Sequence, residues 1–389
     1  MQITLPEISP IDGPVDLSKP LADALCVRSA AGEFRIKRVR LSGGLSSGVE
    51  LILVDNGNVR AAICPTRGMG LWKMQVGDCC LGWDSPVPGP VHPSFVALNE
   101  PSGLGWLEGF DELFVRCGLQ GFGPPVFAAN GQLAYPLHGR IANLPARSVE
   151  FHLDHERASL SIVGQVCETR FLQHDLRLTA KYTFQVGKPS VQIHDQLLNA
   201  SSSPADAHLL YHINVGKPLL GAGSRMVVSA DNVVPRDARA AEGLSEWSSY
   251  QAPEEGYTEQ AYFFDSRADA EGWGGALLTS PDAAQGFVMR YKTENLPCFT
   301  QWKNTLPDCD GYVTGMEPGT GFPNPRAFEI ERGRGLHLQG RESRDFHLEL
   351  EAVSTRDGVA QWGERLEAAR GGKAVRSAEL DPQRCLPHT

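Results

Sequence analysis

Between residues 172 and 186 apolar and polar side chains alternate. Leu172, His174, Leu176, Leu178, Ala180, Tyr182, Phe184 and Val186 share one parity; Gln173, Asp175, Arg177, Thr179, Lys181, Thr183 and Gln185 share the other. A period of two with one apolar row predicts a strand with one buried and one wet face. Gly187-Lys188-Pro189-Ser190 then makes a turn, after which Val191, Ile193 and Leu197 oppose Gln192, His194 and Gln196. Upstream, the runs 149–153 and 158–166 flank a turn at Asp154-His155-Glu156-Arg157. Residues 147–199 therefore predict a four-stranded antiparallel meander.

The same grammar recurs nearer the start. Phe34, Ile36, Val39 and Leu41 mark a strand, and residues 50–54 and 59–64 flank Asp55-Asn56-Gly57-Asn58 as a hairpin. A helical spacing is clear only over 359–369, where Trp362, Leu366 and Ala369 share a face. Many short strands with Gly- and Pro-rich turns predict an all-β fold, a large antiparallel double-sheet β-sandwich. It spans residues 33–370, with an N-terminal arm over 1–32 and a peripheral tail over 371–389.

Composition narrows the function classes. The 389 residues are 41% hydrophobic and 21% charged, enough apolar content for a buried core, and the formal charge of −10 has the wrong sign for a nucleic-acid binder. No run approaches the ~20 apolar residues of a membrane helix. The opening MQITLPEISPIDGP lacks a basic and an apolar signal region, which makes a soluble cytoplasmic protein the expectation. Nine scattered cysteines without a C-x-x-C pair point to reduced thiols rather than a zinc or redox site. No phosphate loop, dinucleotide fingerprint or H-E-x-x-H is present, so no cofactor or metal is expected. Gly44-Leu45-Ser46-Ser47-Gly48 matches the hydrolase G-x-S-x-G. A strand follows it where that motif needs a helix, and it reads as a hairpin loop.

Three segments carry titratable residues in settings a core does not require. Pro136 and Gly139 place His138 in a loop or at a strand end. In Leu209–Gly216 alternation sets Leu210, His212 and Asn214 on one face, and Tyr211 and Ile213 on the other. In Tyr312–Pro325 a strand runs into a Gly/Pro loop with Glu317 at its end. Spacing alone does not bring the three together.

As a set they resemble the galactose mutarotase-like (aldose 1-epimerase) superfamily. His138-Gly139, with Arg140 and Asn143, is similar to the family's first histidine motif; Tyr211-His212 resembles the second; and the run from Met316 through Glu317 to Pro325 resembles the loop of the catalytic glutamate. Segments 64–72 and 106–119 look closest to an uncharacterised branch of that superfamily. The family's G-R-Y-A-N-R-I type segment is absent, and Arg116 stands nearest its place. The sugar-binding acidic residue is expected within Glu255–Asp265.

The resemblance implies interconversion of sugar anomers without a cofactor, with Glu317 as base, His212 as acid and His138 polarising a sugar oxygen. Sugar binding also asks for flat apolar surface and polar partners. Trp106, Trp302 and Phe322 are the candidate platforms; Arg67, Arg116, Gln301, Lys303 and Asn214 are the candidate hydroxyl partners. The expected partner is a monosaccharide, with neither nucleic acid nor membrane, and sheet edges leave a homo-oligomer open. An epimerase, keto-sugar isomerase or lyase on the same scaffold, or a non-catalytic sugar-binding sandwich, remain the alternative readings.

Overall fold

The computed structural model describes residues 1–3, 7–11, 15–373 and 375–386. Among these, the strands form one sheet of nine, one of fifteen and a separate two-stranded hairpin. The predicted meander lies in the nine-stranded sheet, as Ser148–Asp154, Ser159–Arg170, His174–Gln185 and Ser190–Asn199 in consecutive antiparallel order. Its inward row pairs Leu160 with Phe184, Ile162 with Tyr182 and Val166 with Leu178. Burial of these side chains drives the two sheets together face to face, each contributing about 1.5–3 kcal/mol before chain entropy is counted. Gly164 lies in the same row because the side chain of Met69, in the turn before the strand Gly70–Val76, fills the place a Cβ would take.

The predicted alternation runs past the strand at one end. Phe171 and Leu172 are almost fully exposed at a hairpin tip, and Leu172 is left-handed (φ 65°). The turn interrupts the period before His174.

The fifteen-stranded sheet runs through Phe114–Leu119, Ala205–Gly216, Val313–Gly319, Cys298–Asn304 and Gln260–Ser266 as lateral neighbours. Its inner face, with Tyr211, Ile213, Met316 and Phe299, closes the main core against the meander. Its outer face carries a second, smaller core of Trp83, Trp106, Phe110, Val115 and Leu210. Side chains of one parity thus hold the sandwich together, and those of the other are free to build a site.

Between the sheets sits a fully buried ion pair. Arg116 donates to both carboxylate oxygens of Asp195, at 2.5 and 2.8 Å, and its remaining nitrogen reaches Met69 O and Tyr182 Oη. The predicted helix is Arg356–Ala369, capped by Thr355 Oγ1 accepting from Gly358 N. Val359, Trp362 and Leu366 dock it on Leu277 and Val288, outside the nine-stranded sheet. No helix among the described residues is long and apolar enough to cross a membrane.

Both ends of the chain join the body. Gln2–Ile3 and Ile8–Ile11 extend the two sheets, and Leu25–Ser29 pairs with the strand Gly32–Leu41. Much of the described C-terminal segment is exposed, and residues 384–386 hold it against the body. Cys385 is buried, Arg384 pairs with Asp265, and Asn324 donates to Arg384 O at 2.8 Å. The apolar patch of Phe322, Phe263 and Cys298 binds it there.

Candidate active site

Pairing register assembles the centre. Ile213 lies opposite Met316 and Leu210 opposite Gly319, so His212 stands directly across from Glu317 on the outer face. Glu317 sits two residues inside the end of its strand rather than at its end. The next strand sets Thr300 beside Glu317 and Trp302 beside Gly315. Gly315 must be glycine here: a Cβ would stand inside van der Waals contact with Glu317 Oε1 and crowd His212 Cε1 at 3.1 Å.

His138 comes from the loop, as expected, and is left-handed at φ 55°, a conformation that a residue with a Cβ holds at about 1–2 kcal/mol. Surrounding hydrogen bonds fix it: its backbone N–H donates to Gly123 O, its carbonyl accepts from Gly118 N, and Nδ1 lies 2.7 Å from Phe122 O. A carbonyl only accepts, so Nδ1 carries the proton and Nε2 is left with a lone pair. The same reasoning fixes His212. Asn214 donates its amide to Glu112 O, so its Oδ1, 2.6 Å from His212 Nδ1, accepts. Nε2 of His212 therefore faces Glu317.

His212 Nε2 and Glu317 Oε1 are 3.2 Å apart. The contact is off the line of a good hydrogen bond, and among the described residues Glu317 Oε1 and Thr300 Oγ1 are both buried without a partner. Buried polar atoms are nearly always satisfied, so two orphans on one cavity floor mark the place of ligand groups. Burial, then the adjacent His138, holds the His212 imidazole well below its usual range. Burial pushes His138 down to about 4. Burial, then the charge of Glu259, holds the Glu317 carboxyl well above the ordinary carboxylate range. Desolvation dominates all three and favours neutral forms.

These groups floor a cavity of about 420 Å³, in the range of small-molecule sites. Aromatic rings frame it: Phe110 lies 5.1 Å and Trp302 5.7 Å from the His212 ring, and Trp106 lies 4.6 Å from His138. Trp106 and Trp302 thus line the cavity with the three titratable residues. Among the described residues no cluster of three or more His, Cys, Asp or Glu side chains is arranged to hold a metal ion.

Several expected hydroxyl partners lie elsewhere. Arg116 points inward to Asp195, because its parity on Phe114–Leu119 is that of the main core. Arg67 is buried against Glu112 at 2.6 Å, with Asn143 Oδ1 and Gly109 O taking further donors. Gln301 and Lys303 alternate with Thr300 and Trp302 and so face away from the cavity. Gln301 donates to Tyr250 Oη and Lys303 to Ser249 O, and burial lowers the lysine to about 8. Asn214 stands behind His212, out of the cavity. Phe322 stacks on Phe263 at 4.6 Å instead of lining the site.

Other residues enter in their place. Glu259, within the stretch expected to hold an acidic residue, lines the cavity and accepts from Trp302 Nε1 at 2.6 Å. Arg236 pairs with it at 3.1 Å. Arg236, Phe110 and Leu386 carry no signal in the sequence that marks them for a site. Thr300 had one signal, a place two residues before Trp302 on the same face.

Residues 46–352 match a family described as a domain of unknown function, DUF4432. No curated protein sequence matches the chain. Among solved structures, a protein provisionally named an aldose 1-epimerase, from Klebsiella pneumoniae subsp. pneumoniae, is 33% identical; the match covers 89% of this chain and 90% of that one, with a TM-score of 0.86. A galactose mutarotase-like protein from Clostridium acetobutylicum is 14% identical over 82% of this chain and 98% of its own, with a TM-score of 0.57. A galactose 1-epimerase from Lactobacillus acidophilus is 11% identical over 82% and 99%, with a TM-score of 0.53. The last two are likenesses of fold.

Proposed function

The chain belongs to the DUF4432 family and has the galactose mutarotase-like fold, and on that premise we propose that it interconverts the anomers of an aldose by acid–base ring opening. The observation that carries the reading is the 3.2 Å approach of His212 Nε2 to Glu317 Oε1 on the cavity floor. Mutarotation needs a base at the anomeric hydroxyl and an acid at the ring oxygen. Both oxygens are bonded to one carbon, so acid and base must converge as these two do.

With His212 Nδ1–H committed to Asn214, the pair holds one exchangeable proton between Nε2 and the carboxyl. On opening, which starts from the imidazolium–carboxylate form of the pair, Glu317 takes the proton from O1 while His212 Nε2 gives its proton to O5. The O1 lone pair forms the carbonyl, and the C1–O5 bonding electrons leave with O5. The pair is then a neutral imidazole and a carboxylic acid, the arrangement burial favours. After rotation about C1–C2, His212 takes the proton back from the hydroxyl, Glu317 returns its proton to O1, and the ring closes on the other face. Each positioned proton transfer is worth typically ~10²–10⁴-fold.

The remaining residues bind. Neutral His138 offers only the Nε2 lone pair and accepts from a sugar hydroxyl. Thr300 Oγ1 and the Arg236–Glu259 pair meet others, and Trp106 and Trp302 give flat apolar surface to the ring. Two-dimensional exchange NMR over a panel of aldoses tests the proposal. Enzyme-dependent exchange between α and β signals is expected for at least one sugar. Exchange at the uncatalysed rate across hexoses and pentoses would overturn it.

A further inference from the structure

The row of side chains that the meander turns towards the other sheet is apolar until its end. Leu160, Ile162 and Val166 are followed on the same strand by Glu168, opposite Leu176. Glu168 is 4% exposed, and burial raises its carboxyl above the ordinary range. A carboxyl group is rarely buried without a partner, and this one has no part in ring opening. Its Oε2 accepts from Leu119 N at 2.9 Å. That N–H belongs to the peptide group between Gly118 and Leu119, a rigid plane. The carbonyl of the same plane accepts from Arg140 N at 2.9 Å, and Gly118 N donates to His138 O, also at 2.9 Å. Gly118 therefore grips His138-Gly139-Arg140 at two points, closely enough that a Cβ on Gly139 would stand 2.3 Å from Gly118 O.

We propose that Glu168 is a positioning residue for His138, acting through the Gly118–Leu119 peptide, and so, resting on the ring-opening reading above, for sugar binding. The nine-stranded sheet supplies the acceptor, and the peptide plane passes its hold to the loop. A buried N–H is costly to leave unpaired, so without Glu168 the plane turns towards another partner and carries Gly118 O away from Arg140 N. His138 then loses part of what keeps it left-handed (φ 55°), a conformation that a residue with a Cβ does not hold unaided. Its Nε2 no longer stays aimed at the sugar.

Glu168→Leu removes the acceptor, whereas Glu168→Gln keeps an oxygen that can accept from Leu119 N. Imidazole NMR of the labelled full chain reads the ring without any sugar. In Glu168→Leu the His138 signals are expected to shift and broaden while those of His212 stay in place, and Glu168→Gln restores them. With an aldose that the wild type exchanges, KM is expected to rise by about tenfold in Glu168→Leu, the worth of one neutral hydrogen bond, with kcat little changed, as for lost binding. In a His138→Ala background the same substitution raises KM no further, because residues acting through one network do not add. Unmoved His138 signals in folded Glu168→Leu overturn the proposal, and so does an undiminished KM rise in the His138→Ala background. If Glu168→Leu does not fold, Glu168→Asp, whose carboxyl falls short of Leu119 N, takes its place under the same expectations; should neither fold, Glu168 supports the chain rather than His138, and the proposal falls. Displaced His138 signals in a protein whose wild type exchanges no aldose overturn ring opening and leave the positioning role standing.

Discussion

His212 and Asn214, two positions apart on one strand, are joined by a 2.6 Å hydrogen bond from imidazole Nδ1–H to amide Oδ1. Because Asn214 also donates to Glu112 O at 3.0 Å, its amide orientation is fixed, and with it the histidine tautomer. Asn214 is thus a positioning residue rather than a sugar ligand. Second-sphere partners of this kind hold a catalytic ring in register and set its basicity.

Asn214→Leu is expected to lower kcat by about tenfold or more, with KM little changed, because the ring can then take the wrong tautomer. Asn214→Asp makes a sharper test. A carboxylate beside Nδ1 stabilises the imidazolium and raises the His212 pKa, by about 1–3 units for a close pair. The pair then takes its second proton at higher pH, and the acid limb of the rate profile moves upward. A pH–rate series on both variants reads this, and an unmoved acid limb in Asn214→Asp would count against the hydrogen bond.

The wild-type pH profile follows from the same two groups. Activity requires one proton on the pair, and its limbs report macroscopic constants of the pair. His212 lies well below its usual 6.5 and Glu317 well above its usual 4.5, both mainly through burial. The second proton is therefore gained only in acid below the ordinary histidine range, and the last is lost only above the ordinary carboxylate range. The acid limb of kcat/KM is therefore expected to lie below pH 6.5 and the alkaline limb above pH 4.5. Loss of activity on acidification centred at or above pH 6.5 would mean that burial does not depress His212.

Arg116 separates a structural from a binding role. Arg116→Met leaves Asp195 buried without its partner, which costs about 3–5 kcal/mol. Replacing both residues, Arg116→Met with Asp195→Leu, is expected to recover much of that loss. Denaturant unfolding of the two variants measures it. A rise in KM with undiminished stability in Arg116→Met would return the residue to the sugar site.

Legibility in the sequence followed burial. The meander stood out because each strand has one dry and one wet face, so Leu176, Leu178, Tyr182 and Phe184 alternate with Arg177, Thr179, Lys181 and Thr183. Phe114–Leu119 is buried at every position, so no alternation marks Arg116 as facing the main core. Cys298–Asn304 misleads in another way. Its inward positions Gln301 and Lys303 are polar, satisfied by the loop around Ser249 and Tyr250, and polarity there passes for a site. Family resemblance alone singles out His138, His212 and Glu317; their convergence depends on strand register, which residue order does not show. Arg236 and Glu259 meet because Pro235 pairs with Tyr262, and Leu386 reaches the rim through contacts distant in sequence.

The central claim is that Glu317 and His212 move one proton between the two oxygens on a sugar's anomeric carbon. Exchange NMR on Glu317→Gln tests it most directly, with its fold checked by thermal unfolding and its sugar affinity by titration. The amide keeps the shape of the carboxyl but can neither take nor give that proton. Exchange is expected to fall by about 10²–10⁴-fold with affinity nearly intact. Wild-type exchange rates in a folded Glu317→Gln protein would contradict the account.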